Sequence, residues 1–104
     1  MAKYLLAFKG GSMPEGEEAG AQVMAAWEKW FTSLGPAVAD PGNPSSKSRT
    51  ISPNGALGPE GTPTLSGYTI ISADSLDAAV GLAKGCPVLA GGSSIEVIET
   101  FEAM

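Results

Sequence analysis

Gly67 to Pro87 reads GYTIISADSLDAAVGLAKGCP, and it constrains the fold more than any other stretch of the chain. Tyr68 to Ser72 is rich in β-branched and aromatic side chains, which suit a pleated surface. Alternation puts Tyr68 and Ile70 on one face of that strand, Thr69 and Ile71 on the other. Asp74 stands where a helix N-cap is expected, and Asp77 adds negative charge at the positive helix end. Leu76, Ala79, Val80 and Ala83 then repeat at the spacing of one helix face. Gly85 is placed to adopt a left-handed C′ conformation, and Pro87 forbids continuation.

The same order of elements occurs earlier. Lys3 to Phe8 reads as a strand, Glu15 to Leu34 as a helix, and Gly35-Pro36 as its stop. Tyr4, Leu6 and Phe8 share one strand face, Leu5 and Ala7 the other, so both faces are apolar. A half-exposed antiparallel strand would alternate apolar with polar, so material is expected on each side of this one. In the helix, Val23, Trp27, Trp30, Phe31 and Leu34 form a broad apolar stripe behind Glu15, Glu17 and Glu18 in the first turn. Glu28 and Lys29 flank the stripe and are expected in solvent.

Ala37 to Asp40 begins another strand, after which 41–66 shifts sharply to Gly, Pro, Ser and Thr. Within it Lys47 to Ser52 reads as a short strand, and Pro53-Asn54-Gly55 as a turn. An extended hairpin or flap is predicted, with a mobile tip near Leu57 to Pro63. Gly91-Gly92 turns the chain into a last strand over Ser94 to Phe101. There Ile95, Val97 and Phe101 share a face, Ile98 takes the other, and Glu96, Glu99 and Glu102 make an acidic edge. Phe101 to Met104 is expected to form a tail that packs on a neighbour.

Two strand–helix–strand units around a hairpin crossing give an α+β fold, the ferredoxin-like βαββαβ arrangement, with an antiparallel sheet and two helices on one face. The 104 residues are read as one domain, 1–104. The uncovered sheet face would be a large apolar patch, so a homodimer through that face is predicted.

Composition excludes several function classes. Net charge is −5 with six basic residues, which leaves no basic footprint for nucleic acid or an anionic membrane surface. No apolar run approaches the ~20 residues that span a bilayer. The chain opens directly on a strand pattern, so no signal peptide is expected. One cysteine, Cys86, suits a reducing cytoplasm and excludes an internal disulfide. With no histidine, a His general base, the usual triad and a His-ligated metal site are excluded; neither cofactor nor metal is predicted.

GYTIISADSLDAAVGLAKGCP followed by GGSSIEV resembles the YCII-related family, also described through its DGPF-domain relatives. The match covers roughly the C-terminal third; YLLAF and the helix ending in Trp30, Phe31, Leu34 and Gly35 fit more loosely. The resemblance implies a dimeric α+β barrel of two ferredoxin-like protomers and a cleft between sheet and helix. It departs from the family in two places. The DGPF tetrapeptide is absent before Gly67, where the chain reads NGALGPEGTPTLS. The helix His that some relatives pair with an Asp has no counterpart, since Val23 and Met24 occupy that part of the helix.

Candidate sites each carry two readings. Asp40 is a base raised by burial or, in the preferred reading, a turn cap before Pro41-Gly42. Arg49, the single arginine, is a carboxylate anchor or the arm of a surface salt bridge. Phe8, Trp27 and Trp30 line a pocket for a small apolar or aromatic ligand, with Arg49, or simply pack the core. Gly10-Gly11-Ser12 is an anion cradle or, preferred, a turn. Cys86 follows a helix C-terminus and is read as structural, with Lys84 its one nearby cation. Three functions follow in order. The first is a dimeric small-molecule-binding or accessory protein; whether the chain is an enzyme is left open. The second is a cofactor-free monooxygenase- or isomerase-like enzyme using the hydrophobic cleft with Asp40 or Arg49. The third is an interaction module linked to transcription regulation.

Overall fold

The computed structural model describes residues 2–11 and 16–103. Strand β1 spans Ala2–Gly10 and helix α1 spans Gly16–Leu34. A 3-10 turn over Gly35–Ala37 leads into strand β2, Val38–Asp40. A hairpin arm over 41–64 follows, then β3 at Leu65–Ala73, α2 at Leu76–Ala83, a 3-10 turn at Pro87–Leu89 and β4 at Ser93–Glu99. The four strands lie in the order β2-β3-β1-β4, and every neighbouring pair is antiparallel. This is the ferredoxin-like βαββαβ topology that the strand and helix order predicts.

Strand β1 sits at the centre because its two faces are both apolar. On the helix side Tyr4, Leu6 and Phe8 are buried, and they oppose Ile71, Thr69 and Gly67 of β3 in register. Val97 and Ile95 of β4 oppose Leu6 and Phe8 and pack against the same core. On the other side Leu5, Tyr68, Ile70 and Ile98 are half-buried and no helix covers them. The protein measures 44 × 41 × 17 Å. Its thinnest dimension admits one sheet layer and one helix layer, since packed layers stand about 10 Å apart.

The helix ends differ in part from expectation. Gly35 terminates α1 at φ 56°, as the Gly-Pro stop predicts. Ser75, not Asp74, caps α2: its extended backbone lets the hydroxyl accept from the Ala78 N–H at 3.1 Å. Gly85 does not take the left-handed conformation. A Cβ placed there would be in ordinary contact with the Trp30 indole, at 3.4 Å. On α2, Ala79 and Ala83 are buried and Leu82 packs on the core, whereas Leu76 is 44% exposed. On α1 the apolar stripe holds for Trp30 and Leu34, with Trp27 and Phe31 half-buried. Val23 is exposed instead, because the first half of α1 stands clear of the sheet. Glu15 and the Ser12 of the glycine loop lie outside the described residues, and so does Met104.

The arm is an extended hairpin, closed by bridges Ser48↔Gly61 and Ile51↔Leu57. Its tip is Pro53-Asn54-Gly55, where the Asn54 side chain accepts from the Ala56 N–H at 3.0 Å. Leu57 to Pro63, expected at the tip, is the returning arm. The difference comes from Asn-Gly chemistry, which turns the chain earlier than the glycine-rich segment. Strand β4 stops at Glu99, so Phe101 is outside the sheet and 87% exposed. Among the described residues no helix is long and apolar enough to cross a membrane.

These assignments separate three substitutions. Leu6→Ala empties a fully buried position and should cost about 2–5 kcal/mol in urea unfolding. Ser75→Ala removes the α2 cap and should cost about 1 kcal/mol. Leu76→Ala, on the exposed side of α2, should stay within about 0.5 kcal/mol of the parent. A large loss at Leu76 would contradict the helix orientation.

Candidate functional site

Alternation along β1 and the helical spacing of α1 bring Phe8, Trp27, Trp30 and Phe31 together. The Phe8 and Trp27 rings are 5.7 Å apart, Trp27 and Trp30 5.6 Å, and Trp30 and Phe31 5.3 Å. The rings are tilted or edge-on, the arrangements their quadrupoles favour. Trp30 is buried, and its indole N–H donates to the Leu82 carbonyl at 3.2 Å. That bond ties α1 to α2 and uses the one polar atom the cluster could offer from Trp30.

Asp40 lies at the end of β2, where its carboxylate accepts from the Gly42 N–H at 2.8 Å. This is the side-chain turn that Asp favours before a tight bend. Arg49 is exposed on the arm and donates through Nε to the Gly58 carbonyl at 2.9 Å. Each of the two is engaged by backbone of its own segment, and no contact joins them among the described residues. The ion pairs there are Lys9–Glu96 at 2.7 Å and Lys47–Glu60 at 3.6 Å, all four side chains substantially in solvent.

Among the described residues, two grooves on the surface are lined by none of Phe8, Trp27, Trp30 and Arg49. The first, about 370 Å³, lies between the end of α1 and α2 at the end of β3. Leu34, Pro36, Ala37, Ala73, Ala78 and Leu82 give it apolar walls, with Ser72 and Asp74 as its polar groups. The second, about 490 Å³, lies between the arm and the start of β3. It is walled by hydroxyl side chains with Pro63, Leu65, Gly67 and Tyr68. Sequence reasoning missed both. Asp74 read as a cap, and scattered Ser and Thr in a loop carry no spacing signal. Among the described residues no three Asp, Glu or Cys side chains converge in a way that could hold a metal ion.

Cys86 is buried against the core just after α2. Burial pushes its thiol from an ordinary 9.0 up to about 11, against a smaller downward pull from the Val88 backbone. A protonated, buried thiol is a poor nucleophile. The Tyr4 phenol is also pushed up, by burial first and then by the Glu99 carboxylate, which its O–H approaches at 3.5 Å.

The folded pKa of Cys86 lies above its unfolded value, so the native state keeps the proton longer. Its stabilising contribution is full below about 9.0 and is lost as pH rises through about 11. Urea midpoints should therefore decline across that interval, and Cys86→Ala should flatten part of the decline. A parent profile that stays level there would contradict the burial of the thiol.

No protein-family model matches the chain, and no curated protein matches it.

Proposed function

We propose that the chain is a small-molecule-binding or accessory protein that works as a homodimer paired through the open sheet face. The observation that carries the binding reading is the apolar groove between α1 and α2, whose walls leave one carboxylate and one hydroxyl at hand. Its volume of about 370 Å³ falls in the usual ~300–1,000 Å³ range of ligand clefts. Such a groove suits a small apolar or aromatic molecule with a single donor aimed at Asp74.

Pairing through the sheet is supported by the half-buried row of Leu5, Tyr68, Ile70 and Ile98 on the side that no helix covers. The ferredoxin-like topology fits the YCII-related resemblance, and membership of that family belongs to the same proposal. So does a cytoplasmic location, supported by a single cysteine that is buried and free.

Native mass spectrometry of protein purified from its own host tests the binding reading. A stoichiometric small molecule is expected, released on unfolding and absent from Ala78→Trp, whose indole fills the groove. Bare protein, or an adduct equally present in the variant, would overturn it.

A further inference from the structure

The apolar groove between α1 and α2 has a single charged side chain among its described lining residues, and it is the carboxylate of Asp74. That carboxylate makes no hydrogen bond or ion pair among the described residues. The cap position on α2 is taken by Ser75, which leaves Asp74 without that role. The two ion pairs, Lys9–Glu96 and Lys47–Glu60, do not involve it.

The backbone adds to the same sign. The groove lies at the C-terminal end of α1, where Leu34, Pro36 and Ala37 form one wall. A helix of 19 residues ends on about half an elementary negative charge, and no basic side chain stands in the last turn of α1 to offset it. The start of α2, on the other wall, brings about half a positive charge, but Asp77 in its first turn outweighs that. The Tyr4 phenol is pushed up by burial first and then by Glu99 and Asp74. Its O–H approaches Glu99 at 3.5 Å, so a second carboxylate stands at the same end of the sheet. With the two helix ends cancelling, the carboxylates set the balance, and it is negative.

Ligand chemistry follows from that balance. A carboxylate accepts and does not donate, so an acidic ligand meets repulsion without gaining a hydrogen bond. An alcohol at Asp74 exchanges one hydrogen bond for another made to water, with a small net gain. An ammonium makes a charge-assisted bond, about twice as strong as a neutral one. We propose that this groove takes a small organic cation, a primary amine on an aliphatic or aromatic body, with its ammonium at Asp74 and its body against Leu34, Ala73, Ala78 and Leu82. The proposal rests on the reading of the groove as a binding site and names the class of ligand. The groove is on the helix side of the sheet, so pairing through the open face leaves it accessible.

The test is amide-resolved NMR of the full chain titrated with phenethylamine, phenethyl alcohol and phenylacetate, which share a ring and differ at the head group. Cyclohexylamine and cyclohexanol repeat the comparison on an aliphatic body. Saturable shifts at Leu34, Ala78 and Leu82 are expected with both amines. Because Asp74 is exposed, its ion pair is screened by solvent, and each amine should bind about fivefold tighter than the matching alcohol. Phenylacetate should bind most weakly, and added salt should narrow the preference for the amine. Asp74→Asn should erase that preference and leave the affinity for the alcohol unchanged. Equal affinity for amine and alcohol, with both lost in Ala78→Trp, would overturn the amine assignment and leave the groove a binding site. A preference that survives Asp74→Asn, or tighter binding of phenylacetate, would overturn it in the same way. Absence of saturable groove shifts with every probe also overturns it, and native mass spectrometry then decides separately whether the groove holds another molecule.

Discussion

Strand β1 is paired on both edges and apolar on both faces, and the rest of the structure follows from that. Its helix side demands cover, which Trp30, Leu34, Ala79 and Ala83 supply. Burial of a side chain such as Leu6 is worth about 1.5–3 kcal/mol, so this face alone explains why both helices lie on one side. The aromatic cluster, the Trp30–Leu82 bond and the buried Cys86 are consequences of that cover. On the opposite face Ala7 is buried, but Leu5, Tyr68, Ile70 and Ile98 are only half-buried within one chain.

A second constraint sets the arm. The Thr69 hydroxyl, fully buried, donates to the Pro41 carbonyl at 3.0 Å. A buried hydroxyl left without a partner would cost about 1–3 kcal/mol, so this bond fastens the departing chain to β3. The close approach of Gly42 to Tyr68 and the Asp40 turn complete the junction. Tyr68 belongs by alternation to the open sheet face, so the arm groove sits at the margin of the proposed dimer interface.

The fold was largely legible because it rests on strand parity and on residues with few conformational options. The double apolarity of β1, the Gly35-Pro36 stop and the Asn54-Gly55 turn each act locally. Other features depend on partners distant in sequence. Nothing around Thr69 announces that its hydroxyl meets Pro41. Asp74 and Ser75 are both good cap residues, and it is Ser75 that takes the cap. The aromatic residues were identifiable as a group, but their mutual ring packing is a tertiary property. Both grooves were invisible for the same reason: their walls come from two or three separate segments.

The central claim is that the second apolar face of β1 is covered by another copy of the chain. Sedimentation equilibrium of the parent beside Ile70→Lys tests it most directly. A dimer for the parent and a folded monomer for the variant is the predicted pair of results. A monomeric parent, or a dimer that tolerates lysine at the centre of that face, would contradict it.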